Sequence, residues 1–321
     1  MDDIQIVDLF AGTGAFSYAF KKVFRNAKKE IKCVFANDFC RESEAIYNMN
    51  HSTKLTFGNI NQIKLKDISK HNILTSGFPC QPFSISGMKL GFADERSNVF
   101  WTIIKILKKY MPNVFVLENV KNLQSHDKGN TFKIIHASLK KLGYHIKYAI
   151  LNTCKITKVP QNRERIYIVG FKNKEHCDKF NFDFEEVEHD DISEYLENTI
   201  DNKYYYDKRF KDYEKIKNGV TKKITKNVMY QYRRFYIREC KSGVCPTLTA
   251  NMGGGGHNVP LLRDKKGIRK LTPRECFNLQ GFPKTYKLPP LADSKLYKLA
   301  GNAVSVPVVK LIAEKILKAI Y

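Results

Sequence analysis

At 321 residues, with 43% hydrophobic and 27% charged side chains, the chain is long enough for one large domain and a smaller one. No apolar run approaches the ~18–20 residues that span a bilayer, which excludes a helical membrane protein. A formal charge of +23 favours a polyanionic partner, most simply nucleic acid.

The amino terminus, MDDIQIVDLF, lacks the basic start and long apolar core of a signal peptide, so the cytoplasm is the expected location. Within it, IQIVDLF (4–10) reads as a strand that ends near Gly12 and Gly14, ahead of a helix-compatible AFSYAFKKVF. IKCVFAND (31–38) predicts a second strand, ending on Asp38, and NILTSGF (72–78) a third. The third runs into GFPCQPFSISG, where Cys80 stands between Pro79 and Pro82. A helix over NVFWTIIKILKKY (98–110) stops before Pro112, and NVFVLENV (113–120) follows as a fourth strand carrying Glu118 near its end. A helix at 131–142 precedes two more strands, HIKYAILN (145–152) and RIYIVGF (165–171). Strands alternating with helices imply an α/β fold, a mostly parallel twisted sheet flanked by helices, with ligands at the carboxyl ends of its strands.

From about residue 172 the alternation fails. Residues 174–200 carry ten acids against two lysines, and 202–241 carry thirteen Lys/Arg against four acids. Aromatics interleave with the positive charge in KYYYDKRF and MYQYRRFYIR, a mixture suited to phosphate contact and stacking, although a solvated lysine-rich face has a similar composition. A glycine run, NMGGGGHN (251–258), closes the region. The expected organisation is a first domain over 1–171, an inserted domain over 172–270, and a return to the first over 271–321. That return ends in an amphipathic helix bearing Val308, Leu311, Ile312, Ile316 and Ile320.

Three groups of residues carry chemistry. DLFAGTGAFS (8–17) has a glycine-bearing strand-to-helix turn, but Ser17 stands where a dinucleotide fingerprint has its third glycine, which argues against a nicotinamide oxidoreductase. S-adenosylmethionine has no phosphate and needs only close backbone approach and an acid for its ribose. Asp38 is placed for that role, with Phe39 beside it for the adenine. The plainer alternative is a tight turn that uses glycine for its geometry. Cys80 stands outside any apolar periodicity and, as a thiolate, would be a strong nucleophile. Glu118 ends one strand, and Arg163 and Arg165 in QNRERIYIVG begin another. A nucleophile, an acid and two arginines gathered at one place suit attack on an electron-poor ring. Against this, a strand-terminal Glu is often a capping acid, and the arginines could simply pair with Glu164. The other cysteines (33, 40, 154, 177, 240, 245, 276) show no CxxC or zinc-finger spacing, and no histidine stands at metal-ligand spacing; no metal or disulfide framework is expected.

In order along the chain, DLFAGTGAFS, GFPCQPFS, ENV (118–120), QNRERIY (161–167), RECFNLQGFP (274–283) and GNAVSVPV (301–308) resemble the signature blocks of cytosine-5 DNA methyltransferases, especially the bacterial modification enzymes of restriction systems. The resemblance covers about 1–171 and 268–321, and PTLTA (246–250) is similar to the threonine–leucine element of the family's target-recognition domain. It implies the class I S-adenosylmethionine-dependent methyltransferase fold, with 172–270 as that domain. It also implies methylation of carbon 5 of cytosine in a specific short sequence of double-stranded DNA, by a monomer that protects host DNA from a cognate restriction endonuclease. Cys80 would attack carbon 6, Glu118 would bond ring nitrogen 3 and the exocyclic amine, Arg165 would hold the 2-oxo oxygen and orient Glu118, and Arg163 would support the active-site loop and phosphate. Phe10, Gly12, Gly14, Asp38, Phe39, Pro79, Asn302 and Val304 would surround S-adenosylmethionine. Asn59 stands where the family usually has an acid, its carbonyl still able to accept from the adenine amine. In the loop after Cys80, Ser84, Ser86 and Arg96 are expected DNA contacts, with Ser86 entering the gap left by the rotated base. In the basic region Gln231, Arg233, Arg234 and Thr247 are the candidates. Two other readings remain at this point: a tRNA cytosine methyltransferase of the related eukaryote-type branch, and a DNA-binding protein that keeps the fold without catalysis. The basic insertion argues against the first, and the intact Cys80, Glu118 and Arg165 against the second.

Overall fold

The computed structural model describes residues 3–79, 99–220, 228–233, 235–240, 243–254 and 259–321. In chain order the elements are β1 (Ile4–Leu9), α1 (Ala15–Asn26), β2 (Ile31–Asp38), α2 (Arg41–Asn50), β3 (Leu55–Phe57), β4 (Ile73–Gly77) and α3 (Val99–Tyr110). There follow β5 (Val114–Val120), α4 (Asn130–Lys141), β6 (His145–Asn152), α5 (Thr153–Ile156), β7 (Gln161–Asn162), β8 (Glu164–Phe171), α6 (Lys174–Lys179) and α7 (Tyr213–Gly219). The chain ends with β9 (Tyr230–Tyr232), β10 (Ile237–Glu239), β11 (Cys245–Pro246), β12 (Leu261–Arg263), β13 (Ile268–Lys270), α8 (Pro273–Leu279), α9 (Asp293–Asn302) and α10 (Val306–Ile320).

Two compact units emerge. The first comprises residues 1–151, 164–183 and 309–321. Its seven-stranded sheet has the order β3-β2-β1-β4-β5-β8-β6. The strands from β3 to β5 run parallel, whereas β8 lies antiparallel to β5. The order reverses at β1/β4, the switch point at which such sheets bind ligands beyond their carboxyl ends. Buried runs such as Val114–Leu117 reflect a sheet covered on both faces. Helix α1 turns Phe16, Phe20, Val23 and Phe24 inward at helical spacing, and α3 does the same with Phe100, Ile103, Ile106 and Leu107.

The second unit comprises residues 152–163 and 184–308. Its four-stranded sheet has the order β10-β9-β12-β13, and Tyr230, Tyr232, Leu261 and Ile268 pack with Ile216 and Val220 of α7 and the residue after it. These units do not coincide with the boundaries expected at 172 and 270. The second also takes 152–163 and 271–308, because Gln161, Arg163 and Gln280 are hydrogen-bonded within it, as described below. Only the later part of α10 rejoins the first unit. Among the described residues no helix is long and apolar enough to cross a membrane, and no group of three or more His, Cys, Asp or Glu could hold a metal ion.

Candidate active site

In the first unit, β1 delivers the chain into a tight turn at the carboxyl edge of the sheet. Phe10 takes φ 52°, a left-handed conformation that costs a non-glycine residue about 1–3 kcal/mol, and its ring packs on the core. Gly12 and Gly14 follow at φ 53° and 71°, where glycine is unstrained. The Gly12 N–H donates to Asp38 Oδ2 at 2.8 Å and the Cys40 N–H to Asp38 Oδ1 at 2.9 Å, so the β2 acid ties the turn to its own strand end. Burial raises the Asp38 pKa, with these backbone N–H groups opposing the shift. A Cβ on Gly12 would sit 3.9 Å from Asp38 Oδ2, so its absence leaves a cradle beside the acid. Phe39, next in the chain, is 65% exposed. Cradle, acid and open aromatic ring fit a nucleoside carrying a hydroxylated ribose.

Asn59 is exposed, and its Oδ1 already accepts the Asn61 N–H at 3.0 Å, leaving one lone pair for the adenine contact expected of it. Two supports of the turn lay outside the sequence reading. Asp8 is fully buried and accepts from Ser17 Oγ at 2.7 Å and Thr75 Oγ1 at 2.9 Å, joining the first turn of α1 to β4. Burial pushes its pKa to about 7 despite those bonds. Asn37 donates to the Thr56 and Gly58 carbonyls at 2.8 and 2.9 Å, holding β3 and the glycine before Asn59.

Two strands farther along, Gly77 of β4 is in register with Glu118 of β5, and Glu118 with Tyr167 of β8. Because Val120 faces Arg165, and side chains on one face recur every second residue, Glu118 and Arg165 emerge on the same face. Arg165 Nε lies 3.2 Å from Glu118 Oε1, with both side chains nearly buried. Asn119 Nδ2 donates to the Phe78 carbonyl at 3.0 Å, so the strand bearing the acid also fixes the backbone two residues before Cys80. Its position inside ENV was visible in the sequence, whereas a bond across 41 residues was not. Pro79 is half-buried. Cys80, Ser84, Ser86 and Arg96 lie outside the described residues, as does Arg234.

In the second unit Arg163 is 2% exposed and donates to the carbonyls of Leu248 (2.9 Å), Gly301 (3.3 Å) and Ala303 (2.8 Å). Its guanidinium thus gathers PTLTA and the GNAV turn. Gln161 and Gln280, both fully buried, extend this frame. Gln161 donates to Leu279 O at 2.6 Å, and Gln280 to Ala300 O at 2.6 Å. Gly301 is required here, since a Cβ would run into the Thr249 and Ala250 backbone. Asn302 is exposed at the end of α9 and Val304 is buried. Thr247 donates to Asn162 O at 2.5 Å, which leaves its oxygen lone pairs as acceptors. Gln231 and the exposed Arg233 are bonded to each other at 2.9 Å on the β9–β10 hairpin.

The chain matches the C-5 cytosine-specific DNA methylase family over residues 4–318. It is 46% identical to type II methyltransferase M.Bsp6I of Bacillus sp. (strain RFL6), over 98% of this chain and 99% of that protein. It is 38% identical to type II methyltransferase M.HaeII of Haemophilus aegyptius, over 100% and 95%. In fold it is similar to the methyltransferase EhMeth of Entamoeba histolytica (TM-score 0.77, 19% identity, 100% of both chains) and to S. pombe Dnmt2 (0.75, 20%, 99% of both). With the glycine turn at β1 and the Glu118–Arg165 pair at β5/β8, these matches make the chain a member of the C-5 cytosine-specific DNA methylase family, a cytosine-5 DNA methyltransferase of restriction–modification type.

Proposed function

We propose that this enzyme methylates carbon 5 of cytosine within a short specific sequence of double-stranded DNA, using S-adenosylmethionine, on a base rotated out of the duplex and through a covalent bond from Cys80. It would act as a cytoplasmic monomer and shield the DNA of its cell from a cognate restriction endonuclease. The observation that carries the reading is the Glu118–Arg165 pair, whose acid is in register with the strand that leads to Cys80. The residues of the glycine turn fit the cofactor: Gly12 supplies the cradle, Asp38 the acid and Phe39 the exposed ring, with Asn302 and Val304 further candidates. When bound, S-adenosylmethionine supplies a methyl group made electrophilic by its positively charged sulfur.

The side chains of this protein account for the rest. The Cys80 thiolate adds to carbon 6 of cytosine, and the electron pair displaced through the ring makes carbon 5 nucleophilic. Glu118 bonds ring nitrogen 3 and the exocyclic amine, and Arg165 the 2-oxo oxygen, where negative charge would otherwise build. Once carbon 5 is methylated it gives up its proton to a water molecule, and the freed electron pair re-forms the ring double bond as the C6–S bond breaks and releases the Cys80 thiolate. A stacked base offers neither face to a thiolate, hence the rotation. Gln231, Arg233, Arg234 and Thr247 are the proposed readers or phosphate contacts in the target-recognition region, and Ser84, Ser86 and Arg96 those in the loop after Cys80.

Methyl transfer from labelled cofactor to duplex DNA and to tRNA, followed by bisulfite sequencing of the DNA, tests the reading. Label is expected in duplex DNA at cytosines of one short word; label confined to tRNA would overturn it. The Glu118→Gln variant is expected to lower kcat by about 10²–10³-fold, the cost of removing one well-placed stabiliser of developing charge. Its affinity for S-adenosylmethionine should equal that of the wild type. An unchanged single-turnover rate would remove Glu118 from the reaction.

A further inference from the structure

Behind the glycine turn stands His51, to which neither the sequence blocks nor the mechanism above gives a role. It follows α2, and its ring stacks on Tyr47 with centroids 4.2 Å apart and planes 20° from parallel. The ring also hydrogen-bonds the backbone of Thr13, the residue between the two glycines. Its other side closes on Gly14: a Cβ built there would lie 2.8 Å from His51 Cε1 and from Tyr47 Cε2, and closer still to Nε2. Glycine at 14 is therefore fixed twice, by φ 71° and by the ring that fills the space of a side chain. Burial pushes the His51 pKa down to about 4, so the ring is neutral at pH 7 and binds the turn without adding charge to it.

We propose that His51 is the positioning residue that holds the Ala11–Gly14 turn in its cofactor-binding shape, acting through the Thr13 backbone and the Gly14 face. The Ala11 N–H at the start of the turn donates to the Asn37 carbonyl at 2.9 Å. The turn's own closure is the Gly14 N–H to Ala11 O bond, and its outer edge is held by Asp38. Gly12 and Gly14 sit in left-handed conformations that a free chain populates only in part, so losing one inner contact lowers the populated fraction of the binding shape, and apparent affinity falls by that fraction. This inference rests on the assignment of S-adenosylmethionine as cofactor.

The test compares wild type with His51→Phe, which keeps the stack on Tyr47 but cannot bond Thr13, and with His51→Asn, whose amide keeps an N–H near the position of Nδ1. Calorimetric binding of S-adenosylmethionine and hydrogen exchange of the residue 11–15 amides without cofactor are the readouts, with melting temperature as the control for folding. His51→Phe is expected to bind about tenfold more weakly, the loss of about one net hydrogen bond, and to exchange its turn amides faster. His51→Asn should recover most of the affinity, and kcat at saturating cofactor should be unchanged in both. Wild-type affinity and exchange in His51→Phe would overturn the proposal, as would an Asn variant no better than Phe. A wild-type protein that itself fails to bind S-adenosylmethionine would instead refute the cofactor assignment, and the exchange arm would still report on the turn.

Discussion

Replacing Cys80 by alanine is expected to reduce methyl transfer to duplex DNA by at least about 10⁴-fold, the scale seen when a covalent nucleophile is removed while its surroundings remain. Cytosine carbon 5 is a poor nucleophile until electron density is pushed into the ring at carbon 6. Glu118 and Arg165 can stabilise that density but cannot supply it. Serine should rescue little, because a hydroxyl carries almost no alkoxide at neutral pH whereas a thiol already carries a few per cent of its anion. The loss should be confined to chemistry. Among the described residues, the turn that would hold the cofactor is tied together by contacts from β1, β2 and α2. Asn119 would still hold the Phe78 carbonyl on the approach to position 80. Calorimetry should therefore find wild-type affinity for S-adenosylmethionine in the alanine variant. With an oligonucleotide carrying 5-fluorocytosine, whose fluorine cannot leave as a proton does, the wild type should form a stable covalent adduct and the variant none. Methyl transfer at the wild-type rate by Cys80→Ser, or an adduct formed by Cys80→Ala, would refute the covalent route.

How much of this was legible beforehand follows from the range over which sequence patterns act. The alternation of apolar runs and amphipathic stretches is local, so the α/β sheet could be read directly, as could Asp38 and Glu118 near their strand ends. The antiparallel placement of β8 beside β5 was not legible, although it is what brings Arg165 to Glu118. The extent of the second unit was hidden for a related reason. Arg163, Gln161 and Gln280 commit 152–163 and 271–308 to it through bonds that span 20 to 140 residues, which no local periodicity reports. Composition does not separate solvated arginines from buried ones: Arg163 and Arg269 are each 2% exposed and serve internal carbonyls and carboxylates. The exposed Arg233 remains the kind of residue the charge argument has in view. His51 escaped because a lone histidine outside metal spacing carries no pattern; only the turn it backs gives it meaning.

The second large effect concerns stability and falls on Arg269. This side chain donates to Glu275 through two parallel bonds of 2.8 Å and to Asp264 Oδ2 at 2.9 Å. Glu275 is fully buried and also accepts from the Thr272 N–H at 2.8 Å, completing the capping box that starts α8, and from the Glu197 N–H at 3.0 Å. One ion pair thus joins β13, the start of α8, and the acidic stretch before residue 200. Burial works against the Arg269 charge, but the bonds and charge of Glu275 outweigh it and raise the pKa. Arg269→Met, which keeps most of the length but no charge, leaves Glu275 ionised inside the protein with only backbone partners. Breaking a buried pair from one side costs about 3–5 kcal/mol, far more than the pair is worth relative to a well-packed apolar replacement. Urea denaturation followed on the second unit should report that loss. Arg269→Met/Glu275→Leu should recover at least about half of it, because no buried charge is then stranded, although the double variant also loses the capping contribution of about 1 kcal/mol. A single variant within about 1 kcal/mol of wild type would mean that the Glu275 side chain reaches water or another partner at little cost. A double variant as unstable as the single would mean that the cap and the Glu197 contact, rather than the charge pair, hold this corner together.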